Sequence, residues 1–311
     1  MVTSRRDGGS ASGAEPVAVR LGVNPIGWTN DDLPELGDET SLEVCLAEAR
    51  EAGYGGIELG RKFPRRAAEL RPILARHGLV LVSGWYGAEL RTRAVKEELR
   101  AVEDHFALLV EMGCRVMVFA EVSGAVHGRR DTPLSRRPRL AEGEWERFGE
   151  ALTEVAEHLQ GRGLRMAYHH HMGTVIETEA EIDRLMAVTG EGVGLLLDTG
   201  HLTHAGGDVL GLARRHGRRL VHVHCKDVRP AVLAEARRRD RSFLDAVVAG
   251  VFTVPGDGCV DYGSLTRALR EVGYSGWLVV EAEQDPAVAH PLTYARLGFA
   301  NLSRAVAAAG L

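Results

Sequence analysis

Acids and imidazoles recur in this 311-residue chain at the points where short apolar runs stop. The sharpest case is residues 195–201, LLLDTGH, in which three leucines are followed by Asp198, a Thr-Gly turn and His201. An apolar run without alternation reads as a parallel strand covered on both faces. Asp198 then ends the strand and His201 falls in the loop beyond. A lone Asp in that place is most simply a turn cap, but the pattern repeats. Asn24 follows the first apolar segment, Glu58 is the penultimate residue of GIEL, and Ser83 and Trp85 follow LVLV. Glu121 closes VMVFAE, His169–His171 follow RMAY, His222 and His224 alternate in VHVHCKD, and Glu281 and Glu283 alternate in VVEAE. Carboxylates and imidazoles are the donors that bind Mn²⁺, Co²⁺, Fe²⁺ or Zn²⁺. Crowded into one mouth without a cation, they repel one another or stay protonated.

Alternation sorts them further. His169 and His171 share one face and His170 takes the other, while His222 and His224 share a face. Glu121 reads either as a base or as the partner of a loop arginine. Glu58 has Arg61 and Lys62 within reach as partners at a solvent edge, and Glu283 reads as a capping or solvent-facing residue. His127, His204 and His290 read as polar loop residues.

The elements that must position these groups follow from the same repeat. A helical pattern ends near a glycine, a short apolar strand follows, and a polar residue closes it. Eight strands are expected, centred near Arg20, Ile57, Val80, Met117, Met166, Leu196, Val221 and Val279. Helical spacing covers 41–51, 64–77, 91–112, 144–160, 179–189, 207–216, 262–272 and 291–309. Eight strand–helix units predict an α/β fold, a (β/α)₈ TIM barrel, as one catalytic domain over 18–311 behind a disordered tail at 1–17. An open doubly wound sheet fits less well, because no GxGxxG or GxxxxGK[ST] opens any helix. The two long connections, 122–143 and 228–259, the latter with an extra helix at 230–249, are expected to lie as lids over the face where barrel chemistry collects.

Composition narrows the partners. Hydrophobic residues make up 45% and charged residues 26%, which excludes a disordered chain. The net charge of −5 offers no basic field for nucleic acid or an anionic membrane surface. No run of about 18 apolar residues is present, so no transmembrane helix is expected. Four dispersed cysteines without a CxxC pair fit a reducing, cytoplasmic setting. A homo-oligomer is compatible with such a barrel.

DTGH, HVHCKD and WLVVEAE resemble the xylose-isomerase-like barrel superfamily of sugar isomerases, ketose epimerases and endonuclease-IV-like hydrolases. More narrowly, NPIGWTNDDLPELG, YHHHMGT, LLLDTGHLTHAGGD and VPGDGCVDY resemble the myo-inosose dehydratases, over about residues 21–302. The resemblance implies one divalent metal held from the ends of strands five to eight, by His169, Asp198, His224 and Glu281. Many members carry glutamate where this chain has His169, so His169, His171 or neither stands as the fifth-strand ligand. His201 matches a DxxH histidine used near substrate, and Lys226 and Asp227 follow the metal histidine in HxKD. The family is associated with Mn²⁺ or Co²⁺ and has been linked to glutathione; no residues here mark a glutathione site.

The implied substrate is a cyclic polyol ketone, 2-keto-myo-inositol. Its dehydration to 3D-(3,5/4)-trihydroxycyclohexane-1,2-dione needs an electrophile for the enolate, a base for the α-proton and an acid for the departing β-hydroxyl. His171 and His201 are the expected acid–base pair, with Glu121 as the alternative base and Lys226 assisting the enolate. Trp28, Trp85 and Tyr86 are expected to wall the pocket, and Asn24, Glu58 and His222 complete the substrate-binding set. An isomerase or epimerase on the same barrel is the alternative activity. A DNA phosphodiesterase would need more histidines and a basic groove. A non-catalytic sugar-binding barrel leaves the ring of Glu, Asp and His unexplained.

Overall fold

A computed structural model of the chain describes residues 19–311; the expected tail at 1–17 lies outside the described residues. Ten strands run in chain order: β1 (Arg20–Val23), β2 (Gly56–Leu59), β3 (Val80–Ala88), β4 (Val116–Glu121) and β5 (Arg165–His169) come first. They are followed by β6 (Val193–Asp198), β7 (Leu220–Cys225), β8 (Asp227–Val228), β9 (Phe252–Thr253) and β10 (Trp277–Val280). Eight of them close into a barrel in the order β1-β10-β7-β6-β5-β4-β3-β2, every pair parallel. These are the eight expected strands. β8 and β9 form a separate antiparallel pair inside the long connection after β7.

The helices form because their apolar faces have the sheet to bury against. Trp145–Gly161 turns Trp145, Phe148, Leu152, Val155 and Leu159 inward, at helical spacing. The large core cluster joins such faces to the outward side chains of the barrel, among them Met117, Phe119, Met166 and Tyr168. Gly53 shows how tightly one helix turns into a strand. It ends Leu42–Ala52 at φ +112, and a Cβ there would meet the Phe299 ring at 2.7 Å.

Three expected elements change. The 91–112 pattern is two helices, Val95–Ala101 and Glu103–Glu111, meeting at Val102. The helix expected at 230–249 is also two, Pro230–Arg238 and Phe243–Val248. Asp240 lies between them at φ +44, a left-handed turn that no helix continues through, and its carboxylate accepts from the backbone N–H of Ser135 at 3.2 Å. His201 is not in a loop: it lies in a short helix, Thr199–Ala205, which follows β6 directly.

The two long connections interlock. Leu134 N–H donates to the Arg241 carbonyl at 3.3 Å, and Arg130 pairs with Asp245 at 2.9 Å. Phe243 and Phe252 of the second connection pack against His201. All four cysteines are free, with Cys259 exposed. No helix among the described residues is long and apolar enough to cross a membrane.

Candidate active site

Asp198 meets two demands at once. Its Oδ1 accepts the His201 backbone N–H at 2.8 Å, which caps the helix Thr199–Ala205. Its Oδ2 lies 3.3 Å from His169 Nε2 and 3.5 Å from His224 Nδ1. The turn-cap reading and the ligand reading thus describe different oxygens of one carboxylate. Gly200 in the same turn allows a close approach, since a Cβ there would meet the Lys226 side chain at 2.5 Å.

The other strand ends complete the cluster. His224 Nδ1 lies 2.9 Å from Glu281 Oε2 at the end of β10. His169, Asp198, His224 and Glu281, the four carried over by position, are therefore neighbours. Of the two in-facing β5-end histidines, His169 meets Asp198 and His224, while His171 groups with His201 and Glu283. His170 faces away, and its Nε2 accepts the Asp198 N–H at 3.2 Å, as alternation predicts. Neither His169 Nδ1 nor His224 Nδ1 has a hydrogen-bond partner. His224 Nδ1, set beside two buried carboxylates without a hydrogen bond to either, together with His169 Nε2 against Asp198, is a donor set that fits a divalent cation.

Lys226 is the resident positive charge. Its buried Nζ lies 2.5 Å from Glu281 Oε1, 2.6 Å from Glu283 Oε2 and 3.1 Å from His201 Nε2. Burial opposes its charge, but Glu281, Glu283 and Asp198 outweigh burial and hold its pKa above the usual lysine value. Burial favours the neutral form of Asp198, yet Lys226 and the facing histidines keep it ionised. Burial likewise pushes the Glu283 carboxyl up to about 8 against the pull of Lys226. His169, His171, His201 and His222 are lowered, chiefly by burial. His224 goes the other way: Glu281 and Glu58 overcome its burial and raise it.

The cleft above the cluster is lined by Asn24, Glu58, Trp85, His169, His171, His224 and Glu281, together with Asp31, Asp32, His127 and Glu283. Trp85 is 38% exposed at its rim, and its ring meets those of His169 and His171 edge-on at 5.2 and 5.4 Å. A larger groove of about 310 Å³ lies on the flank against helix Trp145–Gly161 and holds no histidine.

Several expected residues stand elsewhere. Trp28 is buried on the far side of β1, where Pro25–Gly27 form a 3₁₀ turn, and its Nε1–H donates to Glu48 at 2.7 Å. Tyr86 points away from Trp85, packs on His105 and Phe119, and hydrogen-bonds Glu98. Glu121 accepts the backbone N–H groups of Leu90 at 2.7 Å and Ser123 at 2.9 Å, so it ties two loops together and pairs with no arginine. His201 and Lys226 lie behind the cleft wall, and His222 lies beneath it. Glu58 pairs with Asn24, His222 and His224 inside the barrel, whereas Arg61 and Lys62 bind Asp38. Glu283 is buried, neither a cap nor solvent-facing. Sequence reasoning overlooked Asp31 and Asp32 and set His127 aside; the signal was an acidic pair just past β1, on the side where barrel chemistry collects.

A family profile described as xylose isomerase-like TIM barrel matches residues 46–304. Over 294 residues the chain is 54% identical to the rhizopine catabolism protein MocC of Rhizobium meliloti, covering 94% of this chain and 90% of that one. It is 46% identical over 279 residues to the inosose dehydratase of Geobacillus thermodenitrificans, covering 89% of this chain and 94% of that one. The structure of an L-ribulose 3-epimerase superposes with a TM-score of 0.65 at 19% identity, over 94% of this chain and 96% of that one, which is a likeness of fold.

Proposed function

The chain belongs to the xylose isomerase-like TIM barrel family, and from that premise we propose that it is an inosose dehydratase, a hydro-lyase acting on 2-keto-myo-inositol. The observation that carries this reading is the 46% identity to an inosose dehydratase across nearly the whole of both chains. The site is chemically suited to the task. His169, Asp198, His224 and Glu281 would hold the divalent cation, Mn²⁺ or Co²⁺, which when bound supplies Lewis-acid polarisation of the substrate carbonyl.

The chain's own groups handle the protons. His171 Nδ1–H donates to the Met172 carbonyl at 2.8 Å, which leaves Nε2 without a proton on the cleft side. That nitrogen lies 3.9 Å from Glu283 Oε1. His171 Nε2 takes the α-proton, and the C–H electron pair becomes the enol double bond. Glu283 delivers a proton to the β-hydroxyl, which leaves as water, and the enol relaxes to the dione. Lys226 and His201 stand behind this pair, where Lys226 balances the charge of Glu281 and donates a hydrogen bond to Glu283, and His201 supports it through Nε2. Trp85 offers a flat apolar wall to the C–H face of the ring.

The test is an ultraviolet scan of metal-stripped protein, reloaded with Mn²⁺ or Co²⁺ and incubated with 2-keto-myo-inositol. The enolised dione is conjugated and absorbs where the substrate does not, so a metal-dependent rise is expected. A flat trace with metal bound, accompanied by exchange of the α-proton with solvent, overturns the dehydratase in favour of an isomerase or epimerase.

A further inference from the structure

Glu58 is the penultimate residue of β2, three strands round the barrel from β7, yet its carboxylate holds two β7 imidazoles. Oε1 lies 2.8 Å from His222 Nε2, and Oε2 lies 3.1 Å from His224 Nε2. Asn24 from the end of β1 donates its Nδ2–H groups to Glu58 Oε2 at 2.8 Å and to Glu281 Oε2 at 3.0 Å. Asn24 is itself fixed, because its Oδ1 accepts the Ile26 N–H at 2.9 Å. Glu58 is 2% exposed and His224 1% exposed, so no solvent competes for these contacts. A carboxylate only accepts, so each facing Nε2 must carry its proton. For a neutral imidazole this fixes the other nitrogen as a lone pair. In His224 that nitrogen is Nδ1, which lies near Asp198 Oδ2 and Glu281 Oε2 without hydrogen-bond geometry to either.

We propose that Glu58 is a positioning residue that sets the tautomer and ring angle of His224, so that His224 Nδ1 is presented as a metal donor, with His222 and Asn24 holding Glu58 in place. The inference rests on reading His224 as a ligand of the divalent cation. It moves Glu58 and His222 out of the substrate-binding set and makes them the support of that ligand, in the manner of a carboxylate–histidine–metal relay. The relay costs no loop movement, since its members come from the ends of β1, β2, β7 and β10 of one closed sheet.

The experiment titrates Co²⁺ into metal-stripped wild-type, Glu58→Gln and His224→Ala proteins, followed by the cobalt ligand-field bands and by calorimetry. For Glu58→Gln, Co²⁺ affinity is expected to fall about 10–100-fold with altered bands, while Glu58→Asp recovers part of the loss. Nitrogen-15 NMR of histidine-labelled wild-type protein loaded with diamagnetic Zn²⁺ provides a second measurement that needs no Glu58 variant. It is expected to show His224 carrying its one proton at Nε2 and none at Nδ1, with the His224→Ala protein assigning the signal. Unchanged Co²⁺ affinity and bands in Glu58→Gln, with a raised KM, would overturn the proposal and return Glu58 to substrate binding. The opposite tautomer overturns it as well. If His224→Ala retains wild-type Co²⁺ affinity, the ligand reading beneath the proposal fails instead.

Discussion

Lys226 and Glu283 form a buried hydrogen-bonded pair, Nζ to Oε2 at 2.6 Å, in which neither group reaches solvent. The same ammonium touches Glu281 at 2.5 Å, so removing it strands the buried Glu281 carboxylate and takes the donor from Glu283. Lys226→Met is expected to lower the unfolding free energy of the metal-free protein by about 3–5 kcal/mol, the usual consequence of uncovering one side of a buried pair. Mn²⁺ should recover part of that loss by supplying positive charge to the Glu281 carboxylate. Denaturant unfolding with and without Mn²⁺ measures both effects, and a loss under about 1 kcal/mol would contradict this account of the pair.

Proton handling separates two residues expected to share it. His171 lines the cleft with Nε2 bare; Glu121 is committed to two backbone N–H groups. His171→Gln is expected to lower kcat by about 10²–10⁴ with Co²⁺ affinity unchanged. Glu121→Gln should leave kcat within a factor of about two, because it touches no reacting atom. Steady-state kinetics beside a Co²⁺ titration distinguishes them, and equal losses in both variants would refute the assignment.

The tryptophans divide in the same way. Trp85→Ala removes the exposed wall of the cleft and is expected to raise KM roughly tenfold, the weight of one aromatic contact. Trp28→Phe removes a hydrogen bond to Glu48 on the far side of β1 and is expected to cost about 1 kcal/mol of stability with KM unchanged. A KM effect from Trp28→Phe and none from Trp85→Ala would place the substrate elsewhere.

His204 predicts a pH dependence. It is buried against Phe252 with neither ring nitrogen partnered, and burial, reinforced by Arg237, lowers its pKa from 6.5 to about 4. Between those values the unfolded chain binds the proton and the folded chain does not. The stabilisation is therefore complete above pH 6.5, falls as the pH drops, and is gone below about 4. At ~1.4 kcal/mol per pH unit the loss at pH 4 approaches ~3 kcal/mol. His204→Leu should lack that part of the acid lability in urea unfolding between pH 7 and pH 4. Parallel profiles for the two proteins would show that His204 does not titrate in this way.

The barrel was legible because its signals are local. An apolar run, a closing acid and a helical spacing can each be read within about a dozen residues, and β-strand alternation correctly separated His170 from His169 and His171. What stayed hidden depends on how distant strands meet. Glu58 finds His222 across 164 residues, a contact set by closure of the sheet and not by anything near Glu58, whose neighbours Arg61 and Lys62 offered a nearer explanation. Trp28 is turned outward by the 3₁₀ turn at Pro25–Gly27, and Glu121 is claimed by backbone N–H groups that spacing does not reveal. The helix holding His201 was missed because Thr-Gly read as a turn, although Asp198 at its head was the cap that starts it.

The carboxylate of Asp198, with one oxygen on a helix and the other among imidazoles, leaves this position almost no room to vary. Asparagine preserves the hydrogen bond to the His201 N–H and forfeits the charge. Glutamate preserves the charge and, one methylene longer, moves both oxygens off their partners. No other side chain supplies a short acceptor for the amide together with an anion for the site. A requirement of folding and a requirement of chemistry converge on one codon, so any drift here is penalised twice, for unrelated reasons.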